Sequence, residues 1–251
     1  MLAVWVFALS PAASQASTVT LEYYTSVMMS GTDGVNPTVT HNLTDNPARP
    51  LDTQVIEDSI TPFHGNAHAW IPDAASLYSE SSIVADSASP NGVLYTLNDA
   101  GAFTNTANRF LSTGETLEVS FDWAYLVNPQ GDGGYGSAWI NVELKDLTDF
   151  SRPIQFTQEA FNYSTDGMAQ DSGSFFQSVS TIAGHTYTFD LIIETEAEVF
   201  HPGAAASGYG YGEVTNLQIA VSSAVVPLPP ALWLFASTLP AVVALGRRKL
   251  R

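Results

Sequence analysis

Cysteine is absent from the 251-residue chain, and basic residues are scarce, with eight Lys and Arg against 25 Asp and Glu. The absence of cysteine excludes disulfides, thiolate metal sites and cysteine nucleophiles. All 25 acidic residues lie within residues 17–225, where only four basic residues accompany them, so this segment carries a formal charge of −21. Because such a charge repels nucleic acid and anionic lipid headgroups, we expect no nucleic-acid partner.

Several functional signatures are also missing. The chain has no G-x-S-x-G elbow for a serine nucleophile and no G-x-G-x-x-G or G-x-x-x-x-G-K loop for phosphate. The glycines of Gly208–Gly212 precede no predicted helix, and from Ser17 onward no helical periodicity appears before the C-terminal tail. These absences argue against a nucleotide-dependent enzyme and a serine hydrolase.

Alternation of apolar and polar residues predicts β-strands instead. The clearest strand is Thr116–Val127, and a second one follows at 138–145, where apolar residues again alternate with polar ones. The Gly-rich connection between them, 128–136, predicts that the two strands pair as antiparallel neighbours. Further strands are predicted at His185–Glu196, Val214–Ser222, Val19–Val27, Gln54–Ile60, Ser82–Asp86 and Val93–Leu97.

The fold class that these short strands indicate is all-β. Frequent turn residues and aromatic residues on the inward faces favour a β-sandwich of jelly-roll type with long loops, formed by residues 17–225. Prolines with Asn, Asp and Ser mark the connections in the first hundred residues. The segment 201–212, rich in Gly and Tyr, is predicted to be a loop or an ordered turn.

One group of polar residues resembles a ligand-binding face. Glu118 and Asp122 lie on the polar side of the first strand, and Trp139 and Glu143 lie on the polar side of its predicted partner. Carboxylates beside an aromatic platform occur both in sugar-binding faces and in glycosidase clefts. The alternative is an ordinary solvated strand face. We expect no catalytic residue, and a glycan hydrolase is the alternative.

Cofactor and metal sites are not expected, with one exception. Asp132, in the Gly-rich connection, offers an oxygen ligand for calcium beside backbone carbonyl groups. No D-x-D-x-D-G sequence accompanies it. We therefore expect Asp132 to be an ordinary turn residue, and calcium binding is the alternative.

The first sixteen residues are typical of a secretory signal peptide. Leu2–Leu9 is a short apolar region, Pro11 ends it, and small residues precede a cleavage position after Ala16. No Lys or Arg stands before the apolar region, so either this signal is atypical or the true start lies upstream. Both alternatives predict export.

The last segment, 226–251, has three parts in a fixed order. A proline-rich start is followed by an uncharged apolar run, predicted to be a transmembrane helix at about 230–246, whose length of roughly 24–28 Å approaches the thickness of hydrocarbon. Basic residues then favour the cytoplasmic side. The alternative is a buried helix of the domain. The basic residues are Arg247, Arg248, Lys249 and Arg251.

This tail resembles the PEP-CTERM class of bacterial sorting signals, in its VPLPA variant. Val226, Pro227, Leu228 and Pro229 match the start of the motif, and Trp233, Leu234 and Phe235 match its aromatic block in the membrane anchor. The resemblance implies export from a Gram-negative bacterium, a single-pass membrane intermediate in the bilayer, and processing by an exosortase associated with exopolysaccharide and biofilm formation.

We therefore expect a surface or extracellular-matrix protein with a structural or adhesive role. A carbohydrate-binding module or a polysaccharide-active enzyme is the alternative, and extracellular polysaccharide is then the partner.

Overall fold

The structure is a computed structural model that describes residues 19–34, 39–48, 52–60, 62–103, 109–163 and 167–222. Within these residues the chain forms thirteen strands and no helix. The strands are β1 Glu22–Thr32, β2 Val39–Ala48, β3 Asp52–Ile60, β4 Phe63–Asp73, β5 Ser76–Ala85, β6 Val93–Phe103, β7 Phe110–Leu111, β8 Thr116–Val127, β9 Gly134–Asp146, β10 Ile154–Tyr163, β11 Ala169–Ser180, β12 Thr186–Phe200 and β13 Ala206–Ser222.

Two antiparallel sheets form a β-sandwich, as the sequence predicts. The front sheet has the order β10-β9-β12-β6-β1-β2, and β7 adds to β12. The back sheet has the order β11-β8-β13-β5-β4-β3. The finer prediction of jelly-roll connectivity stays a prediction.

The period-two pattern of the sequence explains the burial of the central strands. In β9 and β12 every second residue is buried along nearly the whole strand, so each strand turns one face to the core and one to solvent. The strand predicted at Thr116–Val127 is confirmed as β8. The prediction that 201–212 is a loop or turn is wrong for its second half, because β13 begins at Ala206 and includes Gly208–Gly212.

The predicted pairing of β8 with β9 is also wrong. β8 pairs with β11 and β13 in the back sheet, whereas β9 pairs with β10 and β12 in the front sheet. The Gly-rich connection crosses from one sheet to the other instead of closing a hairpin. Gly131 and Gly133 take positive φ angles there, and a Cβ on Gly133 would lie 2.1 Å from the carbonyl oxygen of Phe200. Glycine is required because the connection packs directly on the end of β12.

Aromatic and aliphatic side chains fill the space between the sheets. Near the β10 and β11 edges, Phe121 packs against Phe156 from the front sheet and Phe175 from the back sheet, with ring centroids 5.4 and 4.9 Å away. Phe63, Phe189 and Met29 are among the largest fully buried side chains in the remaining core. Burial of this apolar surface is the main stabilising contribution to such a fold.

Polar residues also link the centres of the two sheets. The buried hydroxyl of Thr195 on β12 lies 2.7 Å from Ser79 Oγ and 3.2 Å from Ser81 Oγ, both on β5 of the back sheet. Asn98 on β6 donates its side-chain NH₂ to Ser81 Oγ at 2.7 Å. These contacts hold β6 and β12 in place. They therefore set the position of the outward-facing residues that alternate with Asn98 and Thr195 along these two strands.

Candidate functional site

The four residues of the predicted ligand face do not share a face. Glu118 and Asp122 lie on the outer side of β8 in the back sheet, and Trp139 and Glu143 lie on the outer side of β9 in the front sheet. Because the buried residues of both strands point into the same core, these two pairs point to opposite surfaces of the sandwich. The prediction of a single face that combines all four residues is therefore wrong, because β8 and β9 belong to different sheets.

Asp122 has local partners that explain its position. Ser174 donates its hydroxyl to Asp122 Oδ1 at 2.5 Å, and Asn216 donates its amide to Oδ2 at 2.7 Å. These hydrogen bonds hold the pKa of Asp122 below its usual value. Asn216 takes a positive φ angle at an irregularity in the pairing of β13 with β8, which brings its amide to this carboxylate.

Trp139 lies in a row of side chains that crosses four adjacent strands of the front sheet. Its neighbours are Glu159 on β10 and Glu194 on β12, and the row continues to Asp99 on β6. Directly opposite residues of antiparallel strands have Cβ atoms about 4.5–5.5 Å apart, so these side chains interact. The row thus places an indole ring between two carboxylates.

A second row lies beside the first. Phe161, Ser137 and Glu196 are neighbours across β10, β9 and β12. Together the two rows line a groove of about 390 Å³ on the outer surface, which we call the front groove. Its lining residues are Tyr135, Ser137, Ala138, Trp139, Glu159, Ala160, Phe161, Glu194 and Glu196.

Glycines on β13 bring the back sheet unusually close to the floor of the front groove. A Cβ on Gly210 would lie 2.2 Å from the carbonyl oxygen of Ser137 and 2.8 Å from that of Glu196, and one on Gly208 would lie 2.3 Å from that of Tyr135. Only a residue without a Cβ permits this approach. The Gly-Tyr repeat therefore shapes the strands from which the groove side chains project.

Carboxylates dominate the electrostatics of the front sheet's outer side. Burial raises the pKa of Glu196, and the nearby charges of Glu198 and Glu194 raise it further. Burial also raises the pKa of Glu198 and of Asp190. Partial burial among like charges favours the protonated form, so these groups are repulsive neighbours when all are ionised.

Glu143 is the exception on this surface. Its Oε1 lies 2.6 Å from Arg152 Nε in an ion pair. Glu143 lies four residues along β9 from Trp139, with Asn141 between them on the outer side. The arginine therefore compensates a carboxylate outside the front groove.

The predicted calcium ligand Asp132 is an exposed residue in the connection between the sheets. In the part of the chain that the structure describes, the group with metal-ligand geometry is elsewhere, at Asp146, Asp149 and His185, whose ligand atoms lie within 4.8 Å of one another. His185 Nδ1 lies 2.6 Å from Asp146 Oδ2, and the Asp146 and Asp149 carboxylates accept backbone N–H groups of their own turn. These hydrogen bonds give the cluster a structural role, because they hold the turn after β9 against the start of β12.

The predicted signal peptide and sorting signal lie outside the described residues, and so do the sorting residues 226–229, the anchor residues 233–235 and the basic residues 247–251. Among the described residues, no helix has the length and apolar character needed to cross a bilayer.

The sequence predicts Trp139 as a ligand-face residue but does not predict the residues that surround it in the structure. The strand β10 was not predicted, because apolar Phe161 and Tyr163 lie on its exposed side and polar Gln158 lies on its inner side. A usable signal exists in β12, where Glu194, Glu196 and Glu198 alternate with buried residues. This alternation places three carboxylates on one outer face.

No family model matches the chain, and no curated protein matches it. Two of the solved structures that align with it are carbohydrate-binding modules. The family 11 module from Clostridium thermocellum, in complex with a β-1,3-1,4-mixed-linked tetrasaccharide, is 7% identical, with 67% of this chain and 98% of that one covered and a TM-score of 0.17. The module TmCBM61, in complex with β-1,4-galactotriose, is 11% identical, with 67% and 87% covered and a TM-score of 0.18.

A structure of the Gx strain of infectious bursal disease virus also aligns, at 9% identity, with 92% of this chain and 74% of that one covered and a TM-score of 0.11. TM-scores this low do not establish a shared fold with any of the three. The chain is similar to them only in weak alignments, and its β-sandwich is shown by its own two sheets.

Proposed function

We propose that this chain is an exported surface or matrix protein whose β-sandwich is a non-catalytic polysaccharide-binding module. The observation that carries the proposal is the front groove, where Trp139 lies between Glu159 and Glu194 on neighbouring strands. A structural or adhesive role in the extracellular matrix is the natural use of such a module.

The groove has the two kinds of group that a sugar requires. Aromatic rings at Trp139, Tyr135 and Phe161 offer apolar surface, and Phe161 is 61% exposed. Carboxylates at Glu194 and Glu196 accept hydrogen bonds, which sugar hydroxyl groups donate. Concave sites with apolar walls and a few convergent polar groups are the usual form of ligand sites in proteins.

The carboxylate pair Glu118 and Asp122 favours binding over hydrolysis, because it lacks the arrangement that glycosidases use. Glycosidases hold two carboxyl groups about 5–9.5 Å apart on either side of the scissile bond. Glu118 and Asp122 are four residues apart on one strand, a distance of roughly 13 Å, and Asp122 is held ionised by its two hydrogen bonds.

Export and sorting rest on the sequence of the tail. Its V-P-L-P start, its apolar segment and its basic end are the features that an exosortase is expected to recognise after the chain crosses the inner membrane. A polysaccharide-binding domain fits this route, because the resemblance links the sorting system to exopolysaccharide. The bilayer and the exosortase are the transient partners in this proposal, and polysaccharide is the lasting one.

The test is a polysaccharide pull-down and a glycan array with the full-length chain purified in detergent. We expect binding of at least one polysaccharide and a loss of about tenfold or more in affinity in Trp139→Ala, since aromatic residues near the centre of a site carry much of its binding energy. Trp70→Ala, on the outer side of the back sheet, is the matched control and should bind normally. Absence of binding to every glycan, or equal binding by the wild type and Trp139→Ala, would refute the module.

A further inference from the structure

Every ionisable residue that lines the front groove is acidic or a tyrosine, and none is basic. Tyr135, Glu159, Glu194 and Glu196 are the titratable residues in its lining. The structure describes three Lys and Arg residues, Arg109, Lys145 and Arg152, and none of them lines the groove. A ligand that enters this site therefore meets only negative or neutral groups.

Negative charge extends beyond the lining residues on the outer side of the front sheet. Glu194 is next to Asp99 on β6, and Glu196 is followed on the same face by Glu198. Burial and mutual repulsion raise the pKa of Asp99 and Glu196, so the folded protein holds these carboxylates in an unfavourable arrangement. A bound cation would relieve this repulsion, whereas a neutral sugar would not.

The position of Trp139 adds a second preference for positive charge. The face of an indole ring attracts a cation electrostatically, and the ring lies between the carboxylates of Glu159 and Glu194. An ammonium group at this position gains both the aromatic face and charge-assisted hydrogen bonds. A hydroxyl group gains only ordinary hydrogen bonds.

We infer that the ligand of the front groove is a cationic polysaccharide, an amino-sugar polymer with free ammonium groups. The inference rests on the proposed function and specifies its substrate class. Trp139 stacks on the sugar, and Glu159, Glu194 and Glu196 bind the ammonium groups of that sugar and its neighbours.

Three β-1,4-linked hexamers that differ mainly at C2 provide the test: a glucosamine hexamer with an ammonium group, an N-acetylglucosamine hexamer with an acetamide, and cellohexaose with a hydroxyl. Affinities are measured by calorimetry with the full-length chain at about pH 6, where an amino group stays protonated, and at about 0.15 M salt, which screens long-range attraction. We expect the glucosamine hexamer to bind about tenfold or more tightly than the other two.

Glu194→Gln and Glu118→Gln form a matched pair of variants, because each removes one negative charge, the first in the groove and the second on the opposite surface. Glu194→Gln should abolish most of the preference for the ammonium hexamer, and Glu118→Gln should leave it unchanged. An equal loss in both variants would show general attraction to an acidic protein and overturn the inference.

Equal affinity for the three hexamers, lost together in Trp139→Ala, would also overturn the charge preference while leaving polysaccharide binding in place. Binding of none of the hexamers would reject the inference as well, and the glycan array would then decide the proposed function separately.

Discussion

Asp99 on β6 and Glu194 on β12 lie directly opposite each other in the front sheet, and their carboxyl groups are hydrogen-bonded. Asp99 Oδ1 is buried and has no hydrogen-bond partner among the described residues. Burial and the charge of Glu194 together raise the pKa of Asp99 to about 7. The nearby Tyr24 and Asp190 provide no positive charge, so ionisation of Asp99 beside Glu194 is unfavourable.

This pair predicts that the protein loses stability as the pH rises from about 4 to above 7. Asp99 titrates near its ordinary value of 3.8 when unfolded and at about 7 when folded, so the folded state binds the extra proton within this range. The free energy of unfolding therefore falls with pH there. Asp99→Asn should remove this part of the slope and stabilise the protein at pH 8 by about 1 kcal/mol or more, since one pKa unit is worth about 1.4 kcal/mol.

Urea denaturation between about pH 4 and 8 measures the slope in the wild type and in the variant. Asp171→Asn, at an exposed residue of β11 on the far edge of the back sheet, is the control and should leave the slope unchanged. An identical slope in the wild type and Asp99→Asn would contradict the raised pKa of Asp99.

The buried hydroxyl of Thr195 predicts a cost for removing a polar link between the sheets. Thr195→Val keeps the shape of the side chain but removes the contacts with Ser79 and Ser81, whose hydroxyl groups stay buried. We expect a loss of about 0.5–1.5 kcal/mol in the free energy of unfolding, because each serine hydroxyl keeps a hydrogen bond to a backbone carbonyl. Thr188→Val, on the outer side of the same strand, should be near neutral. Equal effects at both positions would show that the buried network contributes nothing.

His185 and Asp146 predict a pH dependence of opposite sign. Asp146 is 1% exposed. Its desolvation alone would raise its pKa, but hydrogen bonds from His185, the Thr148 backbone and Tyr187 outweigh it and hold the pKa below 3.8. A carboxyl whose folded pKa is depressed stabilises the protein above its unfolded pKa, and this contribution disappears as the pH falls through the folded value.

Asp146→Asn should therefore lower the melting temperature clearly at pH 7 and by much less at about pH 2–3, where the wild-type carboxyl is also being protonated. Thermal melts at the two pH values check this. Asp149→Asn, an exposed residue of the same turn, is the control and should have the smaller effect at pH 7. A loss at pH 3 as large as that at pH 7 would show that shape, and not charge, matters at Asp146.

Strand positions with regular alternation could be predicted from the sequence, because burial of one face imposes a period of two. Leu191 and Ile193 on β12, and Ile140 and Val142 on β9, are all fully buried, as the pattern predicts. Strands at the edges could not be predicted in the same way. In β11, Phe176 is 67% exposed, so the alternation carries no information about which face is inside.

The candidate site could be predicted only in part, because it is made by neighbours from distant parts of the chain. The sequence places Trp139 on a polar strand face, but its neighbours Glu159 and Glu194 depend on which strands pair. A Gly-rich connection is compatible with a hairpin and with a crossing between sheets. In the structure the connection crosses between the sheets, and Gly133 packs against the Phe200 backbone, a contact that the local sequence does not encode.

The tail predicts a processing phenotype. Replacing Pro227 and Pro229 by Ala should leave the protein in the membrane and unprocessed, because the extended proline-rich segment presents the motif outside the helix. Membrane fractionation and an epitope tag after Arg251 measure retention and removal of the tail in an exosortase-containing host. Persistence of the tag on wild-type protein at the cell surface would show that the tail is not removed. The control is Pro202→Ala, which changes a proline of the β12–β13 connection and should leave sorting intact.

Gly210 predicts how strongly the front groove depends on the close approach of the sheets. In Gly210→Ala the new Cβ would lie 2.2 Å from the Ser137 carbonyl oxygen, a backbone atom that cannot move alone. We expect a loss of at least about 1–3 kcal/mol in stability and displacement of β9, which carries Trp139. Gly203→Ala is the control, because its Cβ would meet only the Asp132 side chain at 3.4 Å. Chemical denaturation gives the stability, and the pull-down gives the binding. If a destabilised Gly210→Ala variant still bound polysaccharide fully, the front groove would not depend on the glycine contact. The ligand surface would then be preserved although the distance between the sheets had changed.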